Sequence, residues 1–163
     1  MFESETIAQA KVTIKELSEL TQLLNREIEG LSPKLYEFKP TPQDWSVKEI
    51  ICHMRDVDEI FHERCVRMVE DDEPFLRSFN PEELAEEKGY SRQLWEEVLQ
   101  EWDTNRARNL ELFKSLSPLQ WLKGAFHQER GHFNVMDIAS ALIRQTEEHL
   151  EQIRSNLKVA HSM

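Results

Sequence analysis

The stretch Asp44-Trp45-Ser46-Val47-Lys48-Glu49-Ile50-Ile51-Cys52-His53 carries the clearest structural punctuation in the chain. Ser46 followed three residues later by Glu49 is a capping box, in which each side chain satisfies a backbone N–H that the first helical turn leaves without a partner. Trp45 before the cap and Ile50 after it form a hydrophobic staple that sets the direction of entry. A helix is therefore expected from Val47 to about Glu70, where Asp71-Asp72-Glu73-Pro74 ends it.

Upstream, Ile7, Ala10, Ile14, Leu17, Thr21, Leu24, Ile28 and Leu31 alternate at spacings of three and four, the seam of a helix packed in a bundle. Gly30 and Ser32-Pro33 stop it. Downstream comes a long connection, roughly residues 71–90. It contains a short helix with Asn80 as cap, Pro81 at its first position and Gly89 past its end. Ser91 is read as the cap of a third long helix, with Leu94, Trp95, Val98, Leu99, Trp102, Leu110 and Phe113 on its apolar side. Ser117-Pro118-Leu119-Gln120 is a second capping box, and Lys123 to Phe133, without a clear period, reads as irregular loop. Asn134 caps a fourth long helix whose seam runs Val135, Ile138, Leu142, Gln145, His149, Gln152. The expectation is one all-α domain over residues 1–163. It is a four-helix bundle with a long crossover connection between the second and third long helices.

Composition narrows the function. The 163 residues suit one buried core, and 20 Lys plus Arg against 31 Asp plus Glu give a net charge of −11. No basic cluster is dense enough to track a phosphate backbone, so nucleic acid and anionic membrane surfaces are not expected partners. No apolar run has membrane-spanning length, and the first residues lack the pattern of a secretory signal. Cys52 and Cys65 fall about 20 Å apart along one helix, too far to pair, so free thiols point to a cytoplasmic protein.

The chemistry lies where the seams are interrupted. The second helix reads Ile50, His53, Val57, Ile60 and the fourth Ile138, Leu142, Gln145, His149. An imidazole in an apolar stripe needs a hydrogen-bond partner or a metal to offset its desolvation. His53 lies about 10 Å inside the start of its helix and His149 about 12 Å inside the end of its own. Antiparallel packing would bring the two to one level of the bundle. His62, nine residues past His53, falls on the opposite face. His127 and His132 belong to the loop before the fourth helix, about 20 Å from His149, and join the site only if that loop folds back. His161 falls in the tail. Cys52 reads as a buried structural thiol. No phosphate loop, Cys-x-x-Cys pair or nucleophile elbow is present.

The Trp45-Ser46-x-x-Glu49-x-x-x-His53 start and the His149-Leu150-x-Gln152-Ile153 ending resemble the DinB-like family of four-helix-bundle metalloenzymes. So do Pro74-Phe75, the acidic short helix up to Gly89-Tyr90, and the Asn105–Leu112 stretch with Arg106 and Arg108. The resemblance spans about Ile7 to Leu157. It implies a homodimer and one divalent ion, zinc or nickel, held by a histidine of the second helix and a His-x-x-x-His pair of the fourth. It also implies an enzyme acting on a small molecule, with low-molecular-weight thiols as co-substrates, as in an S-transferase. Four residues before His149 this chain has Gln145, so the implied set is His53, Gln145 and His149. A carboxamide oxygen suits zinc or nickel less well than imidazole. Asp56, one turn past His53, is open to three readings: replacement ligand, hydrogen-bond acceptor for an imidazole, or solvated carboxylate. The alternative function is a non-catalytic dimeric binding or scaffold bundle that has lost its metal.

Overall fold

A computed structural model describes residues 2–163. The elements in chain order are α1 (Phe2–Ile28), α2 (Pro33–Tyr36), α3 (Val47–Glu70), β1 (Phe75–Leu76), α4 (Pro81–Lys88), α5 (Trp95–Ser115), α6 (Pro118–Trp121), β2 (Gly124–His127), β3 (Gly131–Asn134) and α7 (Val135–His161). The four long helices α1, α3, α5 and α7 make the bundle. Each start with a strong signal forms as expected. Ser46 Oγ accepts from the Glu49 N–H at 3.2 Å while Glu49 Oε1 accepts from the Ser46 N–H at 3.1 Å. Asn134 and Asp137 cap α7 in the same reciprocal way, and Ser117 and Gln120 cap α6.

Hydrogen bonds between helices give their directions. On α3 and α5, Asn105 bonds the Arg55 carbonyl and Asn109 the Asp58 carbonyl, so these neighbours run parallel. On α1 and α7, Thr13 faces Met136 and Glu27 faces Arg154, again parallel. Pairing of Asn25 with Trp102, and of Trp45 with Asn156, makes α1 antiparallel to α5 and α3 antiparallel to α7. The order is up-down-down-up, with α1 and α3 on one diagonal. Parallel neighbours cannot be joined by a tight turn, and this is why the α3–α5 connection is a long crossover.

Three expectations are corrected. Lys123–Phe133 is not irregular: β2 and β3 form an antiparallel hairpin, with Gly131 at φ +75° closing a three-residue loop. β1, from the crossover, adds to β2 in parallel. The period was hidden because each strand is too short to show one. Ser91 does not cap α5, which starts at Trp95. Ser91 sits in a 3-10 turn, Tyr90–Arg92, and its carbonyl accepts from Lys48 Nζ at 3.0 Å. The seams of α1 and α7 are also rotated. α1 buries Thr6, Ala10, Thr13, Leu17, Thr21, Leu24 and Ile28, leaving Ile7 44% exposed. The second half of α7 buries Thr146, Leu150, Ile153 and Leu157, so Gln145 and His149 stand half-buried on its flank and Gln152 is exposed.

Two apolar clusters fill the bundle. One gathers around Leu17, Phe61, Phe113 and Leu142, the other around Leu24, Ile50, Trp102 and Ile153. Between them lies a polar layer built from all four long helices. Arg106, 2% exposed, grips Asp58 with two bonds of 2.7 and 2.9 Å and donates to Thr21 at 2.9 Å and Thr146 at 3.1 Å. Asn109 Nδ2 also donates to Asp58 Oδ2 at 3.0 Å, and the Arg106 guanidinium lies over the Trp102 ring at 4.5 Å.

Candidate functional site

Antiparallel packing of α3 and α7 brings the two seam histidines face to edge. The rings of His53 and His149 are 4.9 Å apart, centroid to centroid, at an interplanar angle of 77°. Trp45, at the staple position, packs its indole against His53 as well, with ring centroids 5.1 Å apart. The helix start that sets the fold therefore also holds the imidazole in place.

The electrostatics keep both rings neutral. Burial, and next the neighbouring His149, push the His53 pKa down from its usual value near 6.5 to about 4, against an opposing pull from Asp56. Burial lowers His149 as well, opposed by its hydrogen bond to Gln152 and by Glu148. His149 Nδ1 donates to Gln152 Oε1 at 3.1 Å, which leaves the lone pair on Nε2. His53 Nδ1 is buried and has no hydrogen-bond partner. A nitrogen left bare in this way costs stability unless a ligand engages it.

The pair opens on a cavity of about 400 Å³, which Gln145 also lines. The other wall comes from the crossover, with Ser78 and Phe79, and from the hairpin, with His127 and Arg130. The hairpin thus folds back, and His127 stands in the wall that distance along α7 had denied it. Its Nδ1 accepts from the Glu129 and Arg130 N–H groups at 3.1 and 3.2 Å. That leaves the proton on Nε2. His62 is elsewhere, its Nδ1 3.0 Å from Asn109 Oδ1 on the α5 side.

Asp56 proves to be neither a solvated carboxylate nor an acceptor for imidazole. It is 2% exposed, and its oxygens accept from Arg55 at 3.0 and 3.4 Å, from Lys88 at 3.1 Å and from the Tyr90 hydroxyl. No hydrogen bond joins it to His53. The crossover segment supplies Lys88 and Tyr90, so no pattern within α3 announced this burial. Cys52 and Cys65 are buried thiols whose pKa values burial raises to about 12, which removes them as nucleophiles.

A sequence model of the DinB superfamily matches residues 16–153. The chain belongs to the DinB superfamily. Among solved structures it is similar to YfiT from Bacillus subtilis, described as a probable metal-dependent hydrolase with an unusual four-helix bundle topology. The TM-score is 0.81 at 15% identity, over 91% of this chain and 86% of that one. At this identity the likeness is one of fold. No curated protein matches the sequence.

For a divalent ion of the kind the resemblance implies, His53 and His149 offer two suitable donors. Two neutral imidazoles on adjacent helices, one with an unpartnered buried nitrogen, are the donor chemistry zinc or nickel takes. The third position lacks a strong donor. Among the described residues no group of three or more His, Cys, Asp or Glu side chains is arranged to hold a metal, and Gln145 offers only a carboxamide.

Proposed function

We propose that this DinB-superfamily protein is a metal-dependent enzyme acting on a small molecule in the cavity between α3 and α7. His53 and His149 would hold a divalent zinc or nickel ion, with Gln145 as a weak third donor. The observation that carries this reading is the His53–His149 pair, 4.9 Å apart on one cavity, with His53 Nδ1 buried and unpartnered. When bound, such an ion supplies Lewis acidity that lowers the pKa of a thiol or water brought to it. The chain's own residues do the rest. Gln152 fixes the tautomer of His149, Trp45 packs His53 into its rotamer, and burial keeps both imidazoles unprotonated at neutral pH. The crossover and the hairpin form the facing wall of the space, and His127 Nε2–H is a donor on that wall.

Transfer to a low-molecular-weight thiol, as in an S-transferase, is the reaction class proposed, and the working form is proposed to be a homodimer. Elemental analysis and calorimetric titration of tag-free protein with zinc and nickel test the centre. The expected result is about one ion per chain, lost in His53→Ala and His149→Ala, retained in His62→Ala and tightened in Gln145→His. Equal and negligible binding by all of them would overturn it. Turnover of an ester substrate without added thiol would move the reaction class from thiol transfer to hydrolysis. A second reading, a dimeric scaffold that has lost its metal, rests on Gln145 and on the missing third strong donor. It predicts no metal after supplementation.

A further inference from the structure

The back-folded hairpin carries Arg130 to the edge of the histidine cavity, beside Arg64. Arg64 of α3, Arg130 of the hairpin loop and Arg144 of α7 line an adjoining cavity of about 310 Å³. Phe61, Arg64, His127 and Arg130 line both spaces, so the two are immediate neighbours. In a chain of net charge −11, three cations facing one volume run against the average surface. None of the three forms an ion pair among the described residues. Asp137, in the same wall, has Oδ2 committed to the Asn134 N–H at 2.9 Å, and Glu129 and Glu148 beside the histidines pair with no arginine either.

Arg64 is built in rather than loose. Its guanidinium lies over the Phe61 and Phe79 rings at 5.6 and 5.5 Å, and Nη2 donates to the Arg77 carbonyl at 2.7 Å. Two aromatic faces and one carbonyl thus fix a fork whose other N–H groups have no hydrogen-bond partner among the described residues. Burial, and next the charge of Arg130, lower the Arg64 pKa. Ser78 adds a second kind of vacancy. Its Oγ and His53 Nδ1 are the two buried side-chain polar atoms without a partner among the described residues, and both belong to residues that line the histidine cavity.

We propose that Arg64, Arg130 and Arg144 form an oxyanion subsite, so that the substrate is a small organic anion anchored by its carboxylate or phosphate. Its uncharged end then lies toward Ser78, His127 and the two histidines. This arrangement gives a fixed guanidinium fork for the bidentate oxyanion and neutral donors for the reacting portion. The position of the reacting end rests on the proposed metal centre, whereas anion binding does not.

The test is calorimetric titration of chelator-treated, tag-free protein at low salt with succinate and, separately, with inorganic phosphate. One anion is expected to bind one per chain at millimolar or lower concentration, and the tighter of the two assigns the substrate class. Arg130→Gln and Arg144→Gln, both at exposed residues, should each weaken binding about tenfold or more. Uncharged succinamide should not bind, and Arg92→Gln, in another cavity, should leave affinity unchanged. Failure of both anions to bind wild type, or wild-type affinity in both variants, overturns the subsite. Anion binding that persists in His53→Ala supports the subsite even where zinc titration has failed. Metal binding without anion binding overturns the subsite and leaves the metal centre standing.

Discussion

Two buried polar sites lie little more than a turn apart in this bundle, and they are built on opposite principles. In the layer around Arg106, the guanidinium meets the Asp58 carboxylate, two threonine hydroxyls and an indole face, and Asn109 supports Asp58 in turn. All four long helices contribute, and no buried side-chain atom there lacks a partner. At the His53–His149 pair, two helices contribute, a cavity replaces the others, and one buried nitrogen is bare. The first arrangement is complete without any ligand. The second leaves one buried nitrogen without a partner among the described residues. A buried polar group points to a ligand only where its partners are missing.

Replacing one member of each site by leucine gives the largest contrast. Asp58→Leu strands the Arg106 charge among apolar neighbours and is expected to cost about 3–5 kcal/mol in urea unfolding. His53→Leu removes a nitrogen that was desolvated without compensation, so its expected cost is below about 1 kcal/mol, with a gain also consistent. Equal losses in both variants would break the distinction between a completed network and a vacant one.

Acid gives the next effect. In metal-free protein His53 titrates at about 4 when folded and near 6.5 when unfolded. Between those values the unfolded chain binds the proton and the folded chain does not. The contribution is therefore fully present above pH 6.5 and lost as pH falls toward 4, by up to about 3 kcal/mol. Comparing wild type with His53→Leu at pH 7 and pH 4.5 isolates this group, and parallel pH profiles would show that His53 is not held neutral.

Smaller effects sharpen the contrast. Ser46→Ala removes the cap that starts α3 about two turns before His53, at an expected cost of about 0.5–2 kcal/mol in thermal melts. Superimposed melts would separate the helix start from the stability of the site. His62→Ala deletes an outer limb of the satisfied network, its 3.0 Å contact with Asn109, and should cost about 1 kcal/mol with no change in zinc affinity. A loss of metal in this variant would place the centre on the wrong face of α3.

The legibility of these features follows from how each is encoded. Ser46-x-x-Glu49, the Asn134 cap and Asn80-Pro81 with Gly89 are local codes, and each helix end they mark is found in the structure. Arg106 and Asn109 fill the gap between Trp102 and Phe113 in the α5 seam at the right spacing. Hydrophobicity passes over them, because their burial is compensated by partners on three other helices. Asp56 was open to three readings in sequence because the residues that bury it, Lys88 and Tyr90, lie in the crossover more than thirty positions away.

The sequence by itself determined the four long helices, the crossover between the second and third, and the levels of His53 and His149, since caps and seam periodicity act within one helix. Tertiary structure decided which seam residues are truly central, turning Gln145 and His149 onto the flank of α7 where a cavity opens. It also decided that the hairpin of β2 and β3 folds back, carrying His127 and Arg130 to the histidines. That return is set by β1 of the crossover pairing with β2, a contact between segments about fifty residues apart that no local period contains.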